Sequence, residues 1–162
     1  MNKTEVLEYL KRHDIPYESV EHPAVYTSAQ AKALHLPHPE AEAKNLFLRD
    51  DKKRNYYLVT LREGITAGLK EVQEKLGSRR LSFASEDDLR DLLGLHKGSV
   101  TPLGLLNDTE HRVQFFLDSY FAKRLIGVHP NENTATVYLA TEDMLTLLAE
   151  NGAPPVLIDF SS

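Results

Sequence analysis

An apolar stripe at helical spacing opens the chain. Val6, Leu7 and Leu10 share one face across residues 4–13, with Thr4 placed to cap the first turn. Asp14-Ile15-Pro16 stops that helix, and residues 17–20 resume as a short extended segment. Thr27-Ser28 is suited to capping a short helix over 29–34, whereas Leu36-Pro37-His38-Pro39 reads as an exposed loop. The clearest strands are 43–49 and 56–61, joined by the polar connection Asp50-Asp51-Lys52-Lys53-Arg54-Asn55. Residues 67–76 predict a helix that ends at Gly77. After a short extended stretch at Leu81–Phe83, Ser85-Glu86-Asp87-Asp88 forms a capping-box variant opening a helix to about Leu93. Further strands are expected at 105–106, 113–117, 125–128, 134–138 and 156–160, with a last helix opened by Thr141-Glu142-Asp143 and closed by Asn151-Gly152. There is no repeat, low-complexity tract or linker. The pattern predicts one α+β domain over 1–162, a mixed, mainly antiparallel β-sheet with surrounding helices.

Composition changes this picture little but narrows the chemistry. A chain of 162 residues can bury a core without a staple, and 41% hydrophobic with 27% charged residues is ordinary for a soluble globular protein. The absence of Cys removes disulfides, thiolate zinc sites and a cysteine nucleophile, and fits a reducing, cytoplasmic location. No apolar run at the N-terminus resembles a signal peptide, and none has the length of a membrane span. A net charge of −5 argues against coating nucleic acid along its length, but leaves room for docking a short RNA segment on a local basic patch. Two patches qualify, Arg49 with Lys52-Lys53-Arg54, and Arg79-Arg80; a solvated hairpin and helix end would look the same.

Motifs for a nucleophile elbow, a P-loop or a dinucleotide fold are absent, and the seven His do not form a recognised ligand set, so neither metal nor cofactor is expected. What stands out is the loop Gly98-Ser99-Val100-Thr101-Pro102, followed by Leu103-Gly104-Leu105. Gly98 tolerates positive φ and Pro102 fixes the exit, so backbone amides and carbonyls can turn towards a small polar ligand. A plain turn is the bland alternative. Lys44 shares a strand face with Leu46 and Leu48, which either lets it snorkel into water or sets a cation at the rim of an apolar pocket. His129, in Val128-His129-Pro130, is either a surface turn residue or a polar ring that orients a ligand or limits its size. Thr27 could be a helix cap or a ligand contact.

Taken together, these segments resemble the prolyl-tRNA editing domain family, the YbaK-like deacylases, and look closest to its free-standing branch that clears alanine from mischarged proline tRNA. The resemblance covers nearly the whole chain. It rests on Glu21-His22-Pro23-Ala24-Val25-Tyr26-Thr27, Lys44-Asn45-Leu46-Phe47-Leu48-Arg49-Asp50, Tyr56-Tyr57-Leu58-Val59-Thr60, Arg80-Leu81-Ser82-Phe83-Ala84-Ser85, the GxxxP signature from Gly98 to Pro102, and Val128-His129-Pro130-Asn131-Glu132-Asn133-Thr134. It implies a trans-acting hydrolase for Ala-tRNA(Pro), cleaving the ester at the terminal adenosine by substrate-assisted attack of water, with no cofactor. By the same resemblance, Lys44 and the loop residues Gly98, Ser99, Val100, Thr101 and Pro102 carry the reaction. Tyr26, Thr27, Asn45, Leu46 and His129 bind substrate, and Arg49, Arg79 and Arg80 meet the tRNA. Implied partners are the acceptor end of mischarged tRNA(Pro) and prolyl-tRNA synthetase. Two other readings stand beside it: a deacylase for Ser, Thr or Cys, and a non-catalytic tRNA- or nucleotide-binding module.

Overall fold

A computed structural model describes residues 1–160 of the chain. Its strands form two sheets where the sequence predicted one. The larger has the order β4 (Leu81–Phe83), β2 (Ala43–Asp50), β3 (Tyr56–Arg62), β5 (Val113–Asp118), β8 (Pro155–Ile158). The smaller has the order β1 (Tyr17–Glu21), β7 (Ala135–Ala140), β6 (Leu125–Val128). Pairing is antiparallel except for β3 with β5 and β5 with β8, so the expected α+β class with mixed, mainly antiparallel strands holds.

Period-two alternation on β3 explains why the larger sheet is covered on both faces. Tyr56 and Leu58 enter the main core with Phe47, Phe115, Ile126 and Val137, which lies between the sheets. Tyr57, Val59 and Leu61 enter a smaller core with Leu46, Leu48 and Val72. The helices α1 (Lys3–Arg12) and α5 (Thr141–Glu150) close the main core with Val6, Leu10, Met144 and Leu148. Over the opposite face lies α3 (Leu69–Leu76), ended at Gly77 by a left-handed residue with φ 67°.

Several local expectations shift for identifiable reasons. Helix α1 starts two residues earlier than Thr4 would set it, because Asn2 and Glu5 form a reciprocal capping box. Helix α3 begins only at Leu69, after Gly68. The stretch 105–106 is not a strand. Pro102 stands at the first position of a 3-10 helix, Pro102–Asn107, whose N-cap Thr101 accepts from the Leu103 amide. Ser85 does cap α4 (Glu86–Asp88), which runs on as a π-turn over Leu89–Leu93 and stops at left-handed Gly94. Thr27 caps α2 (Ser28–Ala33), its hydroxyl accepting from the Gln30 amide at 3.1 Å.

Candidate active site

The site begins with an interrupted sheet edge. Strand β2 pairs with β3 from Ala43 to Arg49, but β4 covers only Leu48 to Asp50 on its other side. The last rung is the Ala84 amide donating to the Phe47 carbonyl at 3.0 Å. Main-chain groups of one strand residue point the same way and alternate along the strand, so the Asn45 amide and carbonyl face the same open edge as the Phe47 carbonyl. This edge forms one wall of a cavity of about 560 Å³, within the range of small-molecule sites. Because the edge is open, residues from both faces of β2 reach the cavity, and Lys44 and Asn45 line it together.

Opposite stand the end of β6 with His129, the loop at Gly98 and Val100, and the segment from His22 to Thr27. Gly98 adopts φ +89°, and a Cβ there would lie 2.7 Å from Tyr26 Cδ1. Only glycine fits that backbone without moving the Tyr26 ring. The loop is tied down on both sides: Ser99 Oγ donates to the His96 carbonyl and Thr101 Oγ1 to the His129 carbonyl, each at 2.7 Å. Asn133 Nδ2 donates to the Val25 carbonyl at 2.9 Å, joining the His22–Thr27 wall to the turn that follows His129.

Hydrogen bonds fix the polar heads. Lys44 Nζ donates to the Ile65 carbonyl at 3.3 Å. Thr60 Oγ1 donates to Asn45 Oδ1 at 2.7 Å, which leaves the Asn45 amide nitrogen as the donor end. His129 Nδ1–H donates to the Ala135 carbonyl at 2.9 Å. Burial holds the His129 pKa below its ordinary value, the Ala135 bond pulls against that, and neighbouring His22 adds to it. The ring is therefore neutral at pH 7, with Nε2 as a hydrogen-bond acceptor.

Of the residues predicted from sequence, Tyr26, Thr27, Lys44, Asn45, Gly98, Val100 and His129 all line this one cavity. Ser99, Thr101 and Pro102 are buried behind it, as supports for the loop. Leu46 is a correction. Expected at the substrate pocket, it is packed in the smaller core, on the side of the sheet covered by α3. The arginines, expected to meet the tRNA rather than the amino acid, lie outside the cavity lining. Arg49 bonds Asp88 at 2.8 Å, and Arg79 grips Asp51 through Nε and a terminal nitrogen.

Sequence reasoning missed several lining residues. His22 donates through Nδ1 to the Pro23 carbonyl at 2.8 Å and accepts at Nε2 from the Thr136 hydroxyl at 2.9 Å. Tyr138 packs against Gly127, where an added Cβ would meet its ring at 2.9 Å. Burial, with the nearby Glu42, Glu18 and Glu40 charges, pushes the Tyr138 pKa up to about 12. Glu42 and Glu63 meet at the rim, where burial and then Glu63 raise the Glu42 pKa. Lys32, Lys97 and Phe83 complete the mouth. His22 and Phe83 lie within segments that carry the family resemblance, but their place in the lining, like that of the others, is set only by tertiary structure. Among the described residues, no cluster of His, Cys, Asp or Glu could hold a metal ion, and no helix is long and apolar enough to cross a membrane.

A cavity with a lysine, a neutral histidine and main-chain donors, and with no serine or cysteine nucleophile among the described residues of its lining, suits hydrolysis by orientation and charge stabilisation. Comparison with known proteins agrees. Residues 22–147 match the aminoacyl-tRNA editing domain model. The chain is 41% identical over 151 residues to the prolyl-tRNA editing protein ProX of Acetoanaerobium sticklandii, covering 93% of this chain and 92% of that one. It is 38% identical over 149 residues to the prolyl-tRNA synthetase associated domain-containing protein 1 of Bos taurus, covering 88% and 86% of the two chains. A crystal structure of a candidate trans-editing enzyme for prolyl tRNA synthetase superposes with a TM-score of 0.67 at 20% identity, covering 98% of each chain. The chain belongs to the aminoacyl-tRNA editing domain family. Its activity is the deacylation of aminoacyl-tRNA.

Proposed function

We propose that this protein, as one editing domain over 1–162, acts in trans on mischarged Ala-tRNA(Pro) and hydrolyses the ester at the terminal adenosine. The observation that carries this reading is that Lys44, Asn45, Gly98, Val100 and His129 line one cavity despite their separation in sequence. The names of its relatives, a prolyl-tRNA editing protein and a prolyl-tRNA synthetase associated protein, support proline tRNA as the carrier and the synthetase as a partner.

The ester carbonyl is already activated, and the vicinal ribose hydroxyl can orient or deprotonate a water. The protein then supplies position and charge. Lys44 meets the terminal phosphate or the developing negative charge on the ester oxygen. Main-chain groups at Gly98 and Val100 anchor the aminoacyl moiety. Neutral His129, with Nε2 as an acceptor, and Thr27 bound the side-chain pocket, so a proline ring is excluded by size rather than by a missing contact.

The test is deacylation of tRNA(Pro) carrying Ala, Ser, Thr, Cys or Pro by the purified protein. Rapid loss of alanine with proline retained is the expected result. Preferential loss of Ser, Thr or Cys would replace the substrate, and no acceleration for any of them would overturn the reading.

A further inference from the structure

Five of the six phenylalanines, Phe47, Phe115, Phe116, Phe121 and Phe160, are at most 8% exposed, whereas Phe83 is 59% exposed. Tyr26 is 66% exposed. Both line the mouth of the same cavity. Apolar surface left in water forgoes about 25 cal/mol per Å² of burial, so two exposed rings in the lining of one cavity call for a ligand that covers them.

Both rings are anchored at their backbones. The Tyr26 amide donates to Gln30 Oε1 at 2.8 Å, and its ring rests on Gly98, where no side chain intervenes. Phe83 ends β4 opposite Leu48, and the following Ala84 amide donates to Phe47 at 3.0 Å. Beside them, Lys32, Lys44 and Lys97 line the cavity of a chain whose net charge is −5. Glu42 and Glu63 line the cavity too, so the three lysines leave a local excess of positive charge, and flat apolar rings beside such an excess match a nucleobase with its phosphates.

We infer that Phe83 and Tyr26 form a stacking platform for the terminal adenine of the acceptor end, with Lys97 and Lys32 meeting the adjacent phosphates. This rests on the reading that the ester of a tRNA enters this cavity. Stacking reads no base identity, so the platform positions the nucleoside while the cavity interior selects the amino acid. The surface that holds the terminal base is thereby the cavity mouth.

An uncharged acceptor-stem RNA with 2-aminopurine as its terminal base tests this without relying on catalysis. Binding to the full-length protein is expected to quench the probe. Phe83→Ala should abolish most of the quench and weaken binding about tenfold, on the scale of one stacked base. Phe83→Trp should restore both, and Phe83→Leu, apolar but not aromatic, should not. Equal quenching by Phe83→Ala, or full rescue by Phe83→Leu, overturns the platform. Deacylation of Ala-tRNA(Pro) by the unmodified protein separates the two ideas. If that deacylation is absent while aromatic-dependent quenching persists, the substrate assignment falls and the platform stands. If deacylation is intact and its KM is unchanged in Phe83→Ala, the platform falls alone.

Discussion

The hydroxyl of Thr101 donates to the main-chain carbonyl of His129 at 2.7 Å, so the glycine loop and the histidine wall of the cavity are set by one hydrogen bond. Thr101 is fully buried, and its oxygen also accepts from the Leu103 amide at 3.3 Å. The loop cannot shift without breaking the Thr101 bond to the part-buried His129 carbonyl.

Thr101→Val keeps the shape and removes the donor. The lost bond should destabilise the fold by about 1–3 kcal/mol in urea unfolding. It should also lower kcat/KM for deacylation at least tenfold, because loop and histidine lose their common reference. Thr101→Ser, which retains the hydroxyl, should recover most of both. A Val variant with unchanged activity would mean that the tether is only structural.

At Gly98 the demand is on the backbone. An alanine there must hold φ +89° and displace Tyr26 Cδ1 from 2.7 Å. The left-handed conformation alone costs about 1–2 kcal/mol. Gly98→Ala should therefore cut deacylation by ten to a hundredfold. Ser99→Ala loses one bond to the His96 carbonyl and should stay within about threefold. Comparable losses from both would remove the special role of the glycine.

Arg49 and Lys97 test where RNA is held. Arg49 bonds Asp88, whose carboxyl burial alone would raise; hydrogen bonds from Ser85 and then Arg49 bring it below the usual range. Arg49→Ala should show chiefly as lost stability, about 1–2 kcal/mol, with little change in the salt dependence of tRNA binding. Lys97→Gln at the cavity mouth should leave stability alone and reduce the slope of log K against log salt by about one. The opposite pattern in binding titrations would return the interface to the arginine patches.

Much of this architecture is legible in local sequence, and the exceptions have physical causes. Strands β2 and β3 declare themselves by alternation, α3 by Gly77, and α4 by its Ser85 cap. Leu105 and Leu106 look like a strand because both are apolar, but Pro102 and the Thr101 cap commit the chain to a 3-10 turn. The sequence places a short strand at Leu81–Phe83, but its pattern does not reveal that this strand meets β2 only over Leu48 to Asp50. That boundary opens the edge of β2, turning Lys44 and Asn45, on opposite faces, into neighbours at one cavity. Leu46, the residue after Asn45, shares the Lys44 face of the strand and so reads as a pocket residue, but it packs in the smaller core. The shared cavity of His22, Tyr138 and Phe83 forms only when β1, β7 and β4 are assembled.

Lys44 separates activity from stability. Its side chain is half-buried and makes one hydrogen bond, a 3.3 Å contact to the Ile65 carbonyl, so the fold gains little from it. Lys44→Met should keep the unfolding midpoint within a degree or two while lowering kcat/KM at least a hundredfold, the scale of losing one stabilising donor. Lys44→Arg, longer and planar, should not restore activity. Full activity in Lys44→Met would sink the role assigned to this lysine.

His129 sets the pH response. Its folded pKa lies below the ordinary value of 6.5, first through burial and also through repulsion from His22. Above pH 6.5 both folded and unfolded chains hold the ring neutral, and it contributes no pH dependence. As pH falls below 6.5 the unfolded chain takes a proton that the folded protein resists, so stability declines until the folded pKa is passed. Protonation then converts Nε2 from acceptor to donor and places a cation beside the substrate ammonium. Deacylation should therefore show an acid limb with its midpoint below 6.5, measured as kcat/KM against pH. His129→Gln should flatten that limb and part of the acid loss in unfolding midpoint together. An acid limb unchanged in the glutamine variant would assign the titration to another group and end the case for His129.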